Sequence, residues 1–197
     1  MNEVNHDLVM REFSECGALM KGHFILSSGL HSDTYLNKSI VSMYPDRTER
    51  LCRALADEVK AEIIPAITHI VAPAMGGIIF GYETARALNV PFMYVERVAG
   101  AFQLRRGFSL PDNARVLVVE DIVSTGLSAR ECVDAIKAVG VKPIAAACLI
   151  DRSNGKADLG VPLIALARLE VDTWPKDSLP PHLQDIPAVK PGSRGLA

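Results

Sequence analysis

The chain switches between two hydrophobic periods. Near its start, Val4, Leu8, Val9 and Phe13 recur at helical spacing, with Gly17 or Gly22 to stop the run. Two short β-like runs follow, around Phe24–Leu26 and Thr34–Leu36, joined by a Ser/Gly-rich turn. Leu51, Leu55, Val59 and Ile63 then share one helical face within 45–63, opened by Pro45 and Asp46.

Beyond that helix, strands and helices take turns. THIVAP (68–73), PFMYVE (91–96), RVLVVE (115–120) and PIAAACLID (143–151) read as strands, whereas GIIFGYETARALN (77–89) and GLSARECVDAIKAVG (126–140) read as helices. A last apolar run at 162–171 is a further strand or an edge element. The alternation predicts an α/β fold with a doubly wound, mainly parallel sheet. One domain, 1–197, is expected: cap or hood elements at 1–44, an α/β core at 45–172, and a Pro-rich C-terminal segment at 173–197 that is partly ordered at best.

Composition narrows this picture without redirecting it. At 197 residues, 49% hydrophobic and 22% charged, the chain has room for one substantial core and not for two independent large domains. A formal charge of −2 gives no general attraction for nucleic acid or membrane surfaces. The start MNEVNHDLVMREFSECG lacks the basic and apolar parts of a secretory signal, and no segment reaches the apolar length needed to span a bilayer, so a cytoplasmic protein is expected. Cys16, Cys52, Cys132 and Cys148 show no CxxC spacing and read as buried free thiols rather than metal ligands or disulfides.

In open α/β sheets, ligands collect beyond the carboxyl ends of the strands. Three junctions there carry small or charged residues: APAMGGI (72–78), EDIVSTGLS (120–128) and IDRSNG (150–155). In the second, Glu120 and Asp121 would face opposite sides of a regular strand, and burying even one unpaired carboxylate is costly, so the strand is expected to end there. Ser124, Thr125, Gly126, Leu127 and Ser128 then offer hydroxyls and backbone N–H groups at a helix start, which carries roughly half an elementary positive charge. That is a phosphate cradle, and acids beside it suit the hydroxyls of a ribose 5-phosphate. The alternative is an ordinary capped helix with a solvated acidic turn. Neither a P-loop nor a dinucleotide fingerprint is present.

VLVVEDIVSTGLS (116–128) resembles the signature that binds phosphoribosyl pyrophosphate (PRPP) in type I phosphoribosyltransferases. With GHFILSSGLHSDTYLN (22–37), VAPAMGGIIFGYETARAL (71–88), LRRGF (104–108), CLIDRSNG (148–155) and VKPGSR (189–194), the chain is similar to the orotate phosphoribosyltransferases from about residue 17 onward. The resemblance implies the type I phosphoribosyltransferase fold with an N-terminal hood and a mobile loop. It also implies transfer of the phosphoribosyl group from PRPP to orotate, with Mg2+, in a homodimer whose loop crosses between subunits. Purine transfer, or PRPP binding without turnover, are the competing readings.

Carried over by position, the resemblance makes Asp121, Glu120 and Arg97 the catalytic candidates. PRPP would meet Glu120, Asp121, Ile122, Val123, Ser124, Thr125, Gly126, Leu127, Ser128, Ala74, Met75, Gly76, Gly77 and Arg97. Orotate would meet Ser124, Arg152, Ser27 and Tyr35, with the Arg152 guanidinium forked onto its carboxylate. No direct protein ligand to the metal is expected, Asp121 reaching it through water. The glycines of 74–77 are otherwise explained by tight helix packing, and Arg152 by a surface ion pair with Asp151 or Asp158.

The stretch Arg97–Asn113 is long for a loop between strands and reads as a lid over the pyrophosphate with Arg105 and Arg106 as anion partners, or else as a β-hairpin with a basic tip. Many relatives carry lysines at three places where this chain has Ser27, Gly76 and the Gly100–Ala101 pair. Either the lid arginines make up that charge, or turnover is weak.

Overall fold

The structure, a computed structural model, describes residues 3–26 and 28–191. Ser27 and the end of the VKPGSR segment lie outside the described residues. A six-stranded sheet forms the centre, in the order β5-β4-β3-β6-β7-β8. Its strands are β3 (His69–Pro73), β4 (Phe92–Val98), β5 (Ala101–Leu104), β6 (Val116–Val123), β7 (Ala145–Asp151) and β8 (Leu163–Arg168). All neighbours are parallel except β5, which folds back antiparallel on β4.

Strand β6 shows why the sheet is covered on both faces. Leu117 and Val119 enter one apolar cluster, and Val116 and Val118 enter the other, as a period of two requires. The first cluster takes Val9 and Phe13 of α1 (Glu3–Glu15), Leu51, Leu55 and Val59 of α3 (Pro45–Glu62), and Phe80 of α4 (Gly77–Leu88). The second takes Cys132, Val133 and Ile136 of α5 (Leu127–Ala138). The expected doubly wound, mainly parallel sheet is what forms. Among the described residues no helix is long and apolar enough to cross a membrane.

Outside the sheet, β1 (Leu19–Ile25) and β2 (His31–Leu36) pair antiparallel, and the short α2 (Lys38–Val41) leads from them into α3. Helix α1 packs on β8 and α3 as well as on β1, so the N-terminal segment is continuous with the core.

The described part of the C-terminal segment, up to residue 191, docks on the β1–β2 hairpin. His31 and Trp174 exchange both backbone hydrogen bonds, at 2.8 and 2.9 Å. Val189 donates to the His23 carbonyl and accepts from Ile25, each at 2.8 Å. The short α6 (Pro181–Gln184) buries Leu183. Main-chain pairing needs no side-chain period, which is why proline-rich sequence concealed it.

Two buried histidines close this contact. His23 Nδ1 lies 2.7 Å from the Ile186 carbonyl, and His23 Nε2 lies 2.6 Å from His31 Nδ1. A carbonyl only accepts, so His23 Nδ1 must carry the hydrogen, and His31 donates to the other nitrogen when His23 is neutral.

Candidate active site

The strand does not end at the two acids. β6 runs on to Val123, pairing Ile122 and Val123 with Ile150 and Asp151 of β7, and both carboxylates are buried, Glu120 at 7% and Asp121 at 1% exposure. The expectation that burial would be too costly fails because each acid is compensated in a different way. Asp121 forms an ion pair with Lys38. Glu120 has its carboxyl pushed up to about 8, chiefly by burial and then by the neighbouring Asp121 charge, so it keeps its proton at neutral pH.

That protonation sets a pH dependence. In the unfolded chain a glutamate releases its proton near 4.5, whereas Glu120 in the fold holds it to about 8. Between those values the unfolded state binds fewer protons, so this residue's contribution to stability falls as pH rises. Melting temperatures of Glu120→Gln and the parent should therefore diverge between about pH 5 and 8, with the parent falling more steeply. Parallel curves would remove Glu120 from this account.

Past Val123 the chain turns into α5 through Gly126, whose φ of +81° is a left-handed conformation that L side chains rarely adopt. A Cβ there would also lie 2.6 Å from Leu159 Cδ2 and 3.0 Å from Ala157 Cβ, so glycine is required twice over. The helix start is thus pressed against residues 157–159, with Ser124, Thr125, Leu127 and Ser128 exposed around it. The N-cap glycine has no side chain to offer, and Thr125 Oγ1 accepts only from the Leu127 N–H, at 3.4 Å, which leaves the other N–H groups of the first turn to an incoming anion. The run Glu120–Ala129, with Lys38 and Arg97, lines a cavity of about 330 Å³.

The two glycines at the start of α4 divide the alternatives between them. At Gly77 a Cβ would meet Val119 O at 3.0 Å and Pro73 Cδ at 3.1 Å, so that glycine serves helix packing. At Gly76 it would meet Asp121 Oδ2 and, at 2.6 Å, Lys38 Nζ, so Gly76 fronts the acids. Met75 beside it is 82% exposed, and Ala74 is partly buried.

Arg152 follows β7 and donates its backbone N–H to the Val123 carbonyl at 2.7 Å, which ties it to the end of β6. The expected alternatives to a ligand role are both occupied. Asp151 binds the Ser153 N–H and hydroxyl, the Gly155 N–H and Arg168, while Asp158 binds Arg130 and the Gly160 N–H. The Arg152 Nε is buried without a hydrogen-bond partner, and burial lowers the pKa of the guanidinium, opposed by Tyr35 nearby. A desolvated cation with no carboxylate among the described residues is a place for a ligand anion.

Of the arginines of 97–113, Arg97 lines the cavity, and Arg105 and Arg106 do not. Arg97 reaches the cavity wall, stacks 4.2 Å over the Phe102 ring, pairs with Glu131 and donates to the Gly100 carbonyl at 2.7 Å. Arg105 and Arg106 both pair with Glu96, at 3.7 and 2.8 Å. The first part of the stretch is thus the β4–β5 hairpin, which was the alternative to a lid. Ser27 lies outside the described residues.

Sequence reasoning missed Lys38, one residue beyond the YLN of the resemblance. Its signal was a lone cation directly after a strand of the hood, which spacing rules do not flag. The thiols are as expected for Cys52, Cys132 and Cys148, which are free and buried, whereas Cys16 is free and partly exposed. Among the described residues no cluster of three or more His, Cys, Asp or Glu side chains could hold a metal.

Comparison with known proteins agrees with this geometry. The model of the phosphoribosyl transferase domain matches residues 41–177. Orotate phosphoribosyltransferase of Maricaulis maris (strain MCS10) is 59% identical over 98% of this chain and all of its own length. That of Caulobacter vibrioides (strain NA1000 / CB15N) is 58% identical over 98% of this chain and 99% of its own. Among solved structures, orotate phosphoribosyltransferase from Aeropyrum pernix superposes with a TM-score of 0.70 at 24% identity, covering 82% of this chain and 93% of that one, a likeness of fold. With identity above half along nearly the whole length, and the acids, the cradle and the unpaired arginine all at the carboxyl ends of the central strands, the chain belongs to the orotate phosphoribosyltransferase family.

Proposed function

We propose that the chain transfers the 5-phosphoribosyl group of PRPP to orotate, giving orotidine 5′-monophosphate and pyrophosphate, through the residues gathered at the ends of β3, β6 and β7. The observation that carries the reading is the pairing of a phosphate cradle with Arg152, because a purine has no carboxylate to meet that cation. The 5′-phosphate lies on the N–H groups and hydroxyls of Ser124–Ser128 at the start of α5. Asp121 accepts from a ribose hydroxyl, and protonated Glu120 can both donate to and accept from another. Arg152 takes the orotate carboxylate, with Tyr35 beside it.

Breaking the bond between C1′ and pyrophosphate builds positive charge on the ribose and negative charge on the leaving group, so positioning and electrostatics do the work rather than a strong base. Buried Asp121 stands where a carboxylate stabilises the sugar's developing charge. Mg2+ fits the donor set: the Asp121 carboxylate, with no protein cage among the described residues, suits a hard cation carried largely by substrate oxygens and water. Asp121 would hold it through water, and the chemistry it would supply there is to neutralise the departing pyrophosphate.

A homodimer completes the proposal. Met75, Ile79 and Tyr82, at 82%, 47% and 56% exposure, form an apolar row beside the site that a second copy would cover. The 97–113 segment, with Arg97, Arg105 and Arg106, closes over pyrophosphate or reaches the neighbouring copy from that edge. Unpaired cysteines support a reducing, cytoplasmic setting. The protein mixed with PRPP and Mg2+ should consume orotate and release pyrophosphate. Product from hypoxanthine and none from orotate would overturn the assignment of the base.

A further inference from the structure

Lys38 opens α2, outside the segments that tie the sequence to the site, yet it stands on the cavity wall and its Nζ pairs with Asp121 Oδ2. Its side chain is 39% exposed against 1% for Asp121, so the ammonium sits where a buried carboxylate meets open space. The position of Gly76 depends on it. Gly76 has ordinary right-handed dihedrals, φ −58° and ψ −42°, so its backbone does not call for glycine. What excludes a side chain there is the lysine head and the aspartate: a Cβ would approach Lys38 Nζ to 2.6 Å and Cε to 3.3 Å, and would overlap Asp121 Oδ2.

We propose that Lys38 is the cation of the pyrophosphate subsite, delivered across the loop at Gly76 from the hood. In the free protein the ammonium rests on Asp121. When PRPP enters, the ribose hydroxyls take Asp121 and the ammonium turns to the pyrophosphate oxygens in front of Gly76. A compact point charge with three donors on a flexible stem suits such a change of partner. The arginines in the region are otherwise engaged, Arg97 by Glu131 and the Gly100 carbonyl, Arg105 and Arg106 by Glu96. The inference rests on the reading of Glu120–Ser128 as the PRPP site.

The test is calorimetric titration of the full-length chain and of Lys38→Met and Lys38→Arg, each with Mg2+, against pyrophosphate and separately against ribose 5-phosphate. Lys38→Met should weaken pyrophosphate about tenfold or more while ribose 5-phosphate changes by less than about twofold, and Lys38→Arg should recover part of the loss. In turnover the KM for PRPP should rise and that for orotate stay put. Unchanged pyrophosphate affinity overturns the proposal. So does an equal loss for ribose 5-phosphate, which would make Lys38 only a support for Asp121. A parent protein that binds neither ligand would instead overturn the PRPP-site reading, and this inference with it.

Discussion

Asp121→Asn is expected to cut kcat by about two to three orders of magnitude, the range found when a preorganised electrostatic partner is removed from a reacting centre. The reason lies in burial. At 1% exposure the carboxylate is shielded from water, and its negative charge acts at full strength on a sugar becoming cationic. Asparagine keeps the shape and loses the charge. The fold should tolerate the change, because Lys38 is exposed enough to turn its ammonium to solvent and no large group is added or removed. Thermal melts should therefore stay within a few degrees while single-turnover rates collapse. The Asp121 charge is also the second cause that raises the Glu120 pKa, so the variant should bring that carboxyl down from about 8. Full activity in Asp121→Asn would take the residue out of the reaction centre.

The sheet was legible because its signal is local. Val116–Val119 alternate between two apolar clusters, and the helices on either side show one apolar face each, so period alone places them. Gly126 and its hydroxylated neighbours were equally plain, since turn chemistry is written in adjacent residues. The acids were found but misjudged. Opposite facing was right, yet the inference that the strand must stop ignored the two remedies a fold can supply, a proton retained by Glu120 and a lysine brought from 83 residues away in sequence to Asp121. Lys38 could not be seen for the same reason, because an ion pair of that separation has no spacing rule. The docking of the tail on His23 and His31 was concealed likewise, since backbone bridges leave no side-chain pattern.

Arg152→Leu should separate recognition of the base from everything else the site does. The guanidinium is partly buried, its Nε lacks a partner, and its charged form is disfavoured by desolvation. Such a group is a cost to the folded chain in the absence of ligand, so the apolar variant should melt at the same temperature as the parent or higher. For orotate the balance reverses. Its carboxylate would enter a desolvated place with no counter-charge, and losing one partner of a buried, hydrogen-bonded charge pair costs about 2–5 kcal/mol, or roughly thirty- to several-thousandfold in kcat/KM. Affinity for pyrophosphate should not move, because the cradle and Lys38 are untouched. The sharpest reading comes from uracil, which is orotate without its carboxylate. The parent should strongly prefer orotate, and in Arg152→Leu the ratio of kcat/KM values for the two bases should collapse toward one. Arg152→Lys should restore only part of the ratio, since a point charge cannot reproduce the two parallel bonds of a guanidinium fork. A leucine variant that still discriminates as the parent does would assign the carboxylate to another cation.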